Sequence, residues 1–369
     1  MILYFADRSF NILGHADTAL SKGRKIIDDE YTEELNTGGN TLSCTIISDD
    51  TGEAFNKTKA MYDTGNFILM NNSECTDFFT IIDSDYDSEN STFEIYAESE
   101  GLNLLNTIVG PYVADKAYPI KYYIDMFAQD SGFEIGTNEL SKNERTLSWD
   151  GEDNATARLL SVANKFDGEL KYRFDIDGLA IKHKYIDIYK KVGERTSYKL
   201  YKGKDVKNFL WHKTIENLAT ALDVTGGTPE QTDTNPEAEV PPITLEGYSY
   251  DDGDFYIDGK ILKSREALKK WTRKRWETLP GEGHIIQPYS YDTLDQNTLC
   301  SRAVAKLKQL REPKIEYEIE MEETNKNLRV GDTALVIDSL KKIYIEGRIY
   351  KKVVSDTSGT KSLFIQEDK

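Results

Sequence analysis

Residues 251–271, DDGDFYIDGKILKSREALKKW, place four aspartates and two glycines ahead of a basic segment that carries a tryptophan. A calcium loop of the EF-hand type needs acidic oxygens at alternate positions and a glutamate at the twelfth. Asp251, Asp252, Asp254 and Asp258 miss that spacing. The runs FYI and KIL flank Asp258-Gly259, so the stretch reads as a β-hairpin turning there, with both residues serving a positive φ. After it, Ser264 is placed to cap a helix and Glu266 to complement its N-terminal dipole. Leu268, Trp271, Trp276 and Leu279 share one helical sector, which reads as core. Lys269, Lys270, Arg273 and Lys274 then form a solvated face rather than a phosphate-binding stripe, because the whole chain is acidic.

Outward from this point the text alternates between two periods. Toward the N-terminus, residues 1–100 read as short strands (ILYFA, FNILG, TLSCTII, NFILM, FFTIID, TFEIYAE) separated by turn clusters. Two amphipathic helices follow. In PIKYYIDMFAQDSGF, Pro119 suits the first helical position and Ile120, Tyr123, Ile124 and Phe127 form the stripe before Gly132. In DNATARLLSVANKFDG, Asp153 or Asn154 caps, Leu159, Val162, Ala163 and Phe166 form the stripe, and Gly168 stops it. ELKYRFDIDG, LAIKHKYIDIY and SYKLYKG are strands, whereas residues 205–224 fit helix or strand equally. Residues 225–244, with four prolines, read as a long exposed loop. LDQNTLCSRAVAKLKQLREP gives a helix along Leu299, Ala303, Leu307 and Leu310, halted by Pro313. The end returns to strands: IEYEIEME, TALVID after a Gly331-Asp332 turn, KIYIEGRIYKKVV and SLFIQ.

At 369 residues the chain is long enough for several domains. Its 46 Lys and Arg against 64 Asp and Glu give −18, which argues against a sequence-independent grip on nucleic acid or anionic membrane. Cys44, Cys75 and Cys300 form no CxxC pair, so neither a disulfide framework nor a zinc knuckle is expected. The N-terminal apolar run is too short for a signal peptide, and no membrane-spanning segment is expected. His15, His183, His212 and His284 stand alone, outside any HExxH pattern. GEGH at residues 281–284 lacks the lysine and hydroxyl of a phosphate-binding loop. No residue is nominated as catalytic, cofactor-binding or metal-binding, and no cofactor is expected.

Several stretches together resemble one family. GYSYDDGDFYIDGKILKSREALKKWTR is similar to the signature hairpin and helix of phage tail proteins known as prophage endopeptidase tail or tail-associated lysin proteins. GGNTLSCTI, EIYAESEGLNLLN, RTLSWDGEDNATARLLSVANKFDGELKYRF, YKGKDVKNFLWHKTIENLATAL and NLRVGDTALVIDSLKKIYIEGRI agree in order, from Gly39 to Arg348. The resemblance implies an α+β, β-rich multidomain protein: two similar antiparallel β-barrel tube domains with a helix-containing domain between them. The expected boundaries are 1–100 for the first barrel, 101–196 with 245–313 for the helical domain, and 197–244 with 314–369 for the second barrel. It further implies a non-enzymatic homotrimer at the virion tail tip. The implied partners are the distal tail, tail tube and tape measure proteins, with phage DNA passing through unbound and no stable membrane insertion. Members that degrade cell wall carry an added hydrolase region, for which this sequence offers no residues. A tail lysin or a host-receptor module is the competing expectation.

Overall fold

The structure, a computed structural model, describes residues 1–37, 39–71, 76–99, 107–229, 240–271, 283–322 and 327–367. Trp276, Leu279, Arg273, Lys274, Gly281, Cys75 and the middle of the proline-rich loop lie outside them.

The N-terminal strands are β1 (Ile2–Ala6), β2 (Ile12–Asp17), β3 (Lys25–Glu34), β4 (Thr41–Ile47), β5 (Phe67–Asn71), β6 (Thr76–Asp87) and β7 (Thr92–Ser99), with helix α1 (Gly52–Met61) between β4 and β5. Their pairings run β3-β2-β1-β5-β6-β7-β4, and β4 pairs again with β3. β2 meets β3 only at Asp17 and Lys25. Alternation puts Leu3, Phe5, Leu42, Cys44, Ile46, Phe93 and Ile95 on the inside, where Met61 and Tyr62 at the end of α1 join them.

The next segment carries the short strands β8 (Ile108–Val109), β9 (Tyr112–Val113) and β10 (Tyr118–Pro119), then α2 (Ile120–Phe127) and β11 (Phe133–Asn138). Further two-residue strands are β12 (Glu144–Arg145), β13 (Ser148–Trp149) and β14 (Asp153–Asn154), followed by α3 (Ala155–Lys165), β15 (Glu169–Asp177) and β16 (Ala180–Tyr189). The four expected α2 residues are buried, but Pro119 is the N-cap and not the first helical residue. Asn154 caps α3, accepting a hydrogen bond from Ala157 N at 2.8 Å. The left-handed residue that ends α3 is Asp167, φ 56°, rather than Gly168. Gly168 is required for room instead, since a Cβ there would run into Leu140 and the Tyr189 carbonyl. α2 and α3 pack with the sheet β11-β16-β15 around Tyr123, Leu159, Val162, Phe166 and Ile188. A separate cluster of Phe67, Phe78 and Phe174 joins the outside of the first strands to this sheet.

A second strand system follows: β17 (Arg195–Tyr201) and β18 (Val206–Thr214), then, after the segment described next, β23 (Lys314–Met321), β24 (Thr333–Asp338), β25 (Ile343–Ser355) and β26 (Thr360–Gln366). The ambiguous residues 205–224 are thus strand at both ends, because β18 and β19 (Ala221–Thr225) occupy them. The order is β17-β24-β25-β26-β23-β18. β25 pairs with β24 through one half and with β3 through Lys351–Val354, so both systems belong to one 13-stranded sheet.

By contacts the chain forms two compact units, residues 1–210 with 317–368, and residues 211–316. The second unit contains β19, β20 (Phe255–Asp258), β21 (Ile261–Ser264), α4 (Arg265–Trp271), β22 (Ile286–Ser290) and α5 (Gln296–Leu310). Its sheet runs β20-β21-β19-β22, and Leu299, Ala303 and Leu307 of α5 cover Leu222, Val224 and Leu262. The ends of the proline-rich loop are tied together, with Gly226 N and Ile243 N each bonded across to the other side at 2.6 and 2.9 Å.

Candidate functional site

The four aspartates of the 251–258 stretch all have structural work. Asp251 receives both arms of Arg265, at 2.8 and 2.7 Å, and Gly253 N at 2.9 Å. These bonds, Arg265 first, hold its carboxyl down at about 2. Asp252 accepts from Asp254 N and Phe255 N and from the Tyr250 hydroxyl. Asp254 Oδ1 accepts from Ser264 Oγ and Glu266 N, each at 2.9 Å, and its other oxygen takes Arg311. Asp258 pairs with Lys263. Carboxylates so committed to cations and amides have few lone pairs left to converge on a metal ion. Among the described residues no group of three His, Cys, Asp or Glu is arranged to hold one.

The hairpin is present, with a corrected turn. Asp258 pairs with Ile261, so the central residues are Gly259 and Lys260, and positive φ occurs at Gly259 (61°) but not at Asp258. Glycine at the first central position is the type II′ preference. Ser264 Oγ accepts from Ala267 N at 3.1 Å, as a cap should, and Glu266 lies in the first turn. Trp271 is half-buried, donating Nε1 to the Arg311 carbonyl at 2.9 Å. Lys269 and Lys270 are exposed, and Lys270 pairs with Glu312.

The remaining chemical candidates stay apart. His183 meets Glu134 at 3.2 Å, His284 meets Thr220 Oγ1 at 3.0 Å, and His15 and His212 are exposed on strands. Cys44 and Cys300 are buried; burial pushes the Cys44 thiol up to about 12 and raises that of Cys300. Both thiols are therefore protonated and poor nucleophiles at neutral pH.

Two constellations escaped sequence reasoning. Arg158 of α3 has a fully buried side chain, donates to the carbonyls of Gly110 (3.1 Å) and Gly151 (2.9 Å), and lies over the rings of Phe127 and Trp149. The other joins the Gly331-Asp332 turn to the middle segment. Arg348 holds Glu169 with both terminal nitrogens and donates to the carbonyls of Val192 and Gly331. Asp332 accepts from Glu194 N at 2.9 Å. Gly193 and Gly331, at φ 82° and 97°, meet backbone to backbone. An arginine within an alternating strand gives no sign of a partner 179 residues away.

Solved structures share this fold. The chain aligns with the prophage tail protein gp18 from Listeria monocytogenes EGD-e over 100% of its own length and 95% of the other, at 13% identity and TM-score 0.58. It aligns with the 43 kDa tail protein of prophage MuSo2 from Shewanella oneidensis over 99% and 98%, at 10% identity and TM-score 0.61. The tail protein from Neisseria meningitidis MC58 matches over 99% and 96%, at 10% identity and TM-score 0.58. The fold is that of prophage tail proteins. As expected, it is β-rich α+β. No protein-family profile matches the sequence, and no curated protein matches it.

Proposed function

We propose that the chain is a structural hub protein at the distal tip of a long-tailed phage or prophage tail. Three copies form a ring that joins the tail tube to the tip, closes the channel and takes part in DNA delivery. The observation that carries this reading is the end-to-end fold correspondence with prophage tail proteins of nearly equal length. Fold alone hosts many functions, so the committed carboxylates and protonated thiols described above supply the second support for a non-enzymatic role. A third is the pair of strand systems linked through β25, since two strand systems per chain would let three copies present six to a tube. Distal tail, tail tube and tape measure proteins are the partners, and DNA passes without specific binding. No helix among the described residues is long and apolar enough to cross a membrane.

The test is genetic and microscopic. Deleting the gene from its phage should abolish infectious tails, and an antibody to the protein should decorate one end of wild-type tails. Normal infectious tails without the protein, or decoration along the tube, would overturn the reading.

A further inference from the structure

The sheet of the middle segment runs β11-β16-β15, and β11 is an end strand. Its one ladder is the parallel pairing of Phe133, Glu134 and Ile135 with Lys184, Tyr185 and Ile186, resuming at Asn138 after an irregularity. On its other side no strand among the described residues meets its amides and carbonyls. Proline and lysine are common guards of an open edge, and FEIGTN contains neither.

Beside the regular part of this edge, between the C-terminal end of α2 and the sheet, lies a groove of about 330 Å³. Ile124, Ile135 and Ile186 contribute apolar lining, and Asp125, Asp130 and Glu134 contribute carboxylates. Asp130 is exposed and makes no ion pair among the described residues, and Glu134 meets only the exposed His183, at 3.2 Å. Asp125 is paired with Lys121. The turn that carries Asp130 is firmly made, with Ser131 N and Oγ both donating to the Ala128 carbonyl. Lys184 is committed elsewhere, since its Nζ donates to the Ser131 carbonyl at 2.7 Å and lies over the Phe133 ring.

An apolar lining with carboxylates among it complements a lysine or arginine side chain, whose stem is buried while its cation stays at the wet rim. An unpaired strand beside it complements an extended backbone. We propose that β11 and this groove take up an extended basic segment of another protein. The segment adds a strand to β11 and lays lysine or arginine stems on Ile124 and Ile135, with their cations at Asp130 and Glu134. Main-chain hydrogen bonds supply the affinity and the groove selects the side chain. The acidic rim disfavours nucleic acid as the occupant. The contact depends neither on the number of copies in a tail nor on the place of the chain within it.

The probe is a capped, dye-labelled peptide of alternating lysine and valine. It should bind the full chain saturably in fluorescence anisotropy and slow hydrogen exchange at the amides of Phe133–Asn138. A glutamate-valine peptide should not bind. The lysine-valine peptide N-methylated at alternate residues keeps its charge but loses one row of donors, and should bind at least about tenfold more weakly. Asp130→Asn with Glu134→Gln should weaken binding by about tenfold through the loss of two rim charges. Both positions are exposed, and asparagine tolerates the left-handed backbone of Asp130, φ 62°, so thermal unfolding of this variant should match the wild type. Absent binding, equal binding of the acidic or N-methylated peptide, undiminished binding by the variant, or protection confined to other strands would each overturn the proposal. So would peptide binding that falls as protein concentration rises, because a second copy would then fill the groove.

Discussion

At the scale of single residues, stability depends on a few groups that backbone geometry or burial leaves no freedom to replace. Gly331 is the sharpest case. With φ at 97° and the Val192 carbonyl where a Cβ would lie, Gly331→Ala strains the turn and forces apart the loop that Arg348 clamps. Thermal unfolding should show a loss of at least about 1 kcal/mol, against a gain of a few tenths if the position tolerated alanine. Asp77 carries a pH signature. Burial, offset by bonds from Asn40, Phe78 N and Ser99, raises its carboxyl to about 6. The folded state then holds this proton more tightly than the unfolded chain, so the group's contribution falls as pH rises from the ordinary carboxylate range through about 6. Asp77→Asn removes that dependence. The difference in Tm between variant and wild type should move in the variant's favour from pH 4 to pH 7; a difference that is flat or moves the other way contradicts the assignment.

Among elements, the hairpin β20–β21, α4 and the end of α5 act as one joint held by Asp254, which serves Ser264, Glu266 and Arg311 together. Asp254→Ala removes the half-buried carboxylate shared by Ser264, Glu266 N and Arg311 and should lower Tm, with a cost of about 2 kcal/mol. Calcium or a chelator should leave the Tm of the wild type unchanged; a rise with calcium would restore the metal-loop reading of this stretch. How much of the fold was legible follows from how cleanly each element keeps its period. β4 and the stripes of α2, α3 and α5 alternate or repeat without interruption, and sequence reasoning finds them. β3 was missed because a bulge between Ile26 and Asp28 shifts the alternation, leaving the apolar Ile27 exposed beside Asp28. α1 was missed because only Thr58 and Met61 of its ten residues are buried. β18 looked ambiguous because, beyond Val206, both its faces are exposed or half-buried. At the candidate site, the stretch and its cap were readable, but the partners of its aspartates were not: Arg265 and Arg311 lie 14 and 57 residues away, which no local pattern encodes.

For the whole molecule, acidity and assembly are the testable properties. A chain at −18 should bind duplex DNA weakly even at modest salt, since it offers phosphates few cations to displace counterions. Electrophoretic retardation at submicromolar protein would contradict free passage of the genome. The central claim is that three copies of this chain close the end of a tail. A reconstruction of the tail tip tests it most directly: the account predicts three copies on the tail axis, each placing two strand systems around the channel, whereas six copies, or a single copy away from the axis, would contradict it.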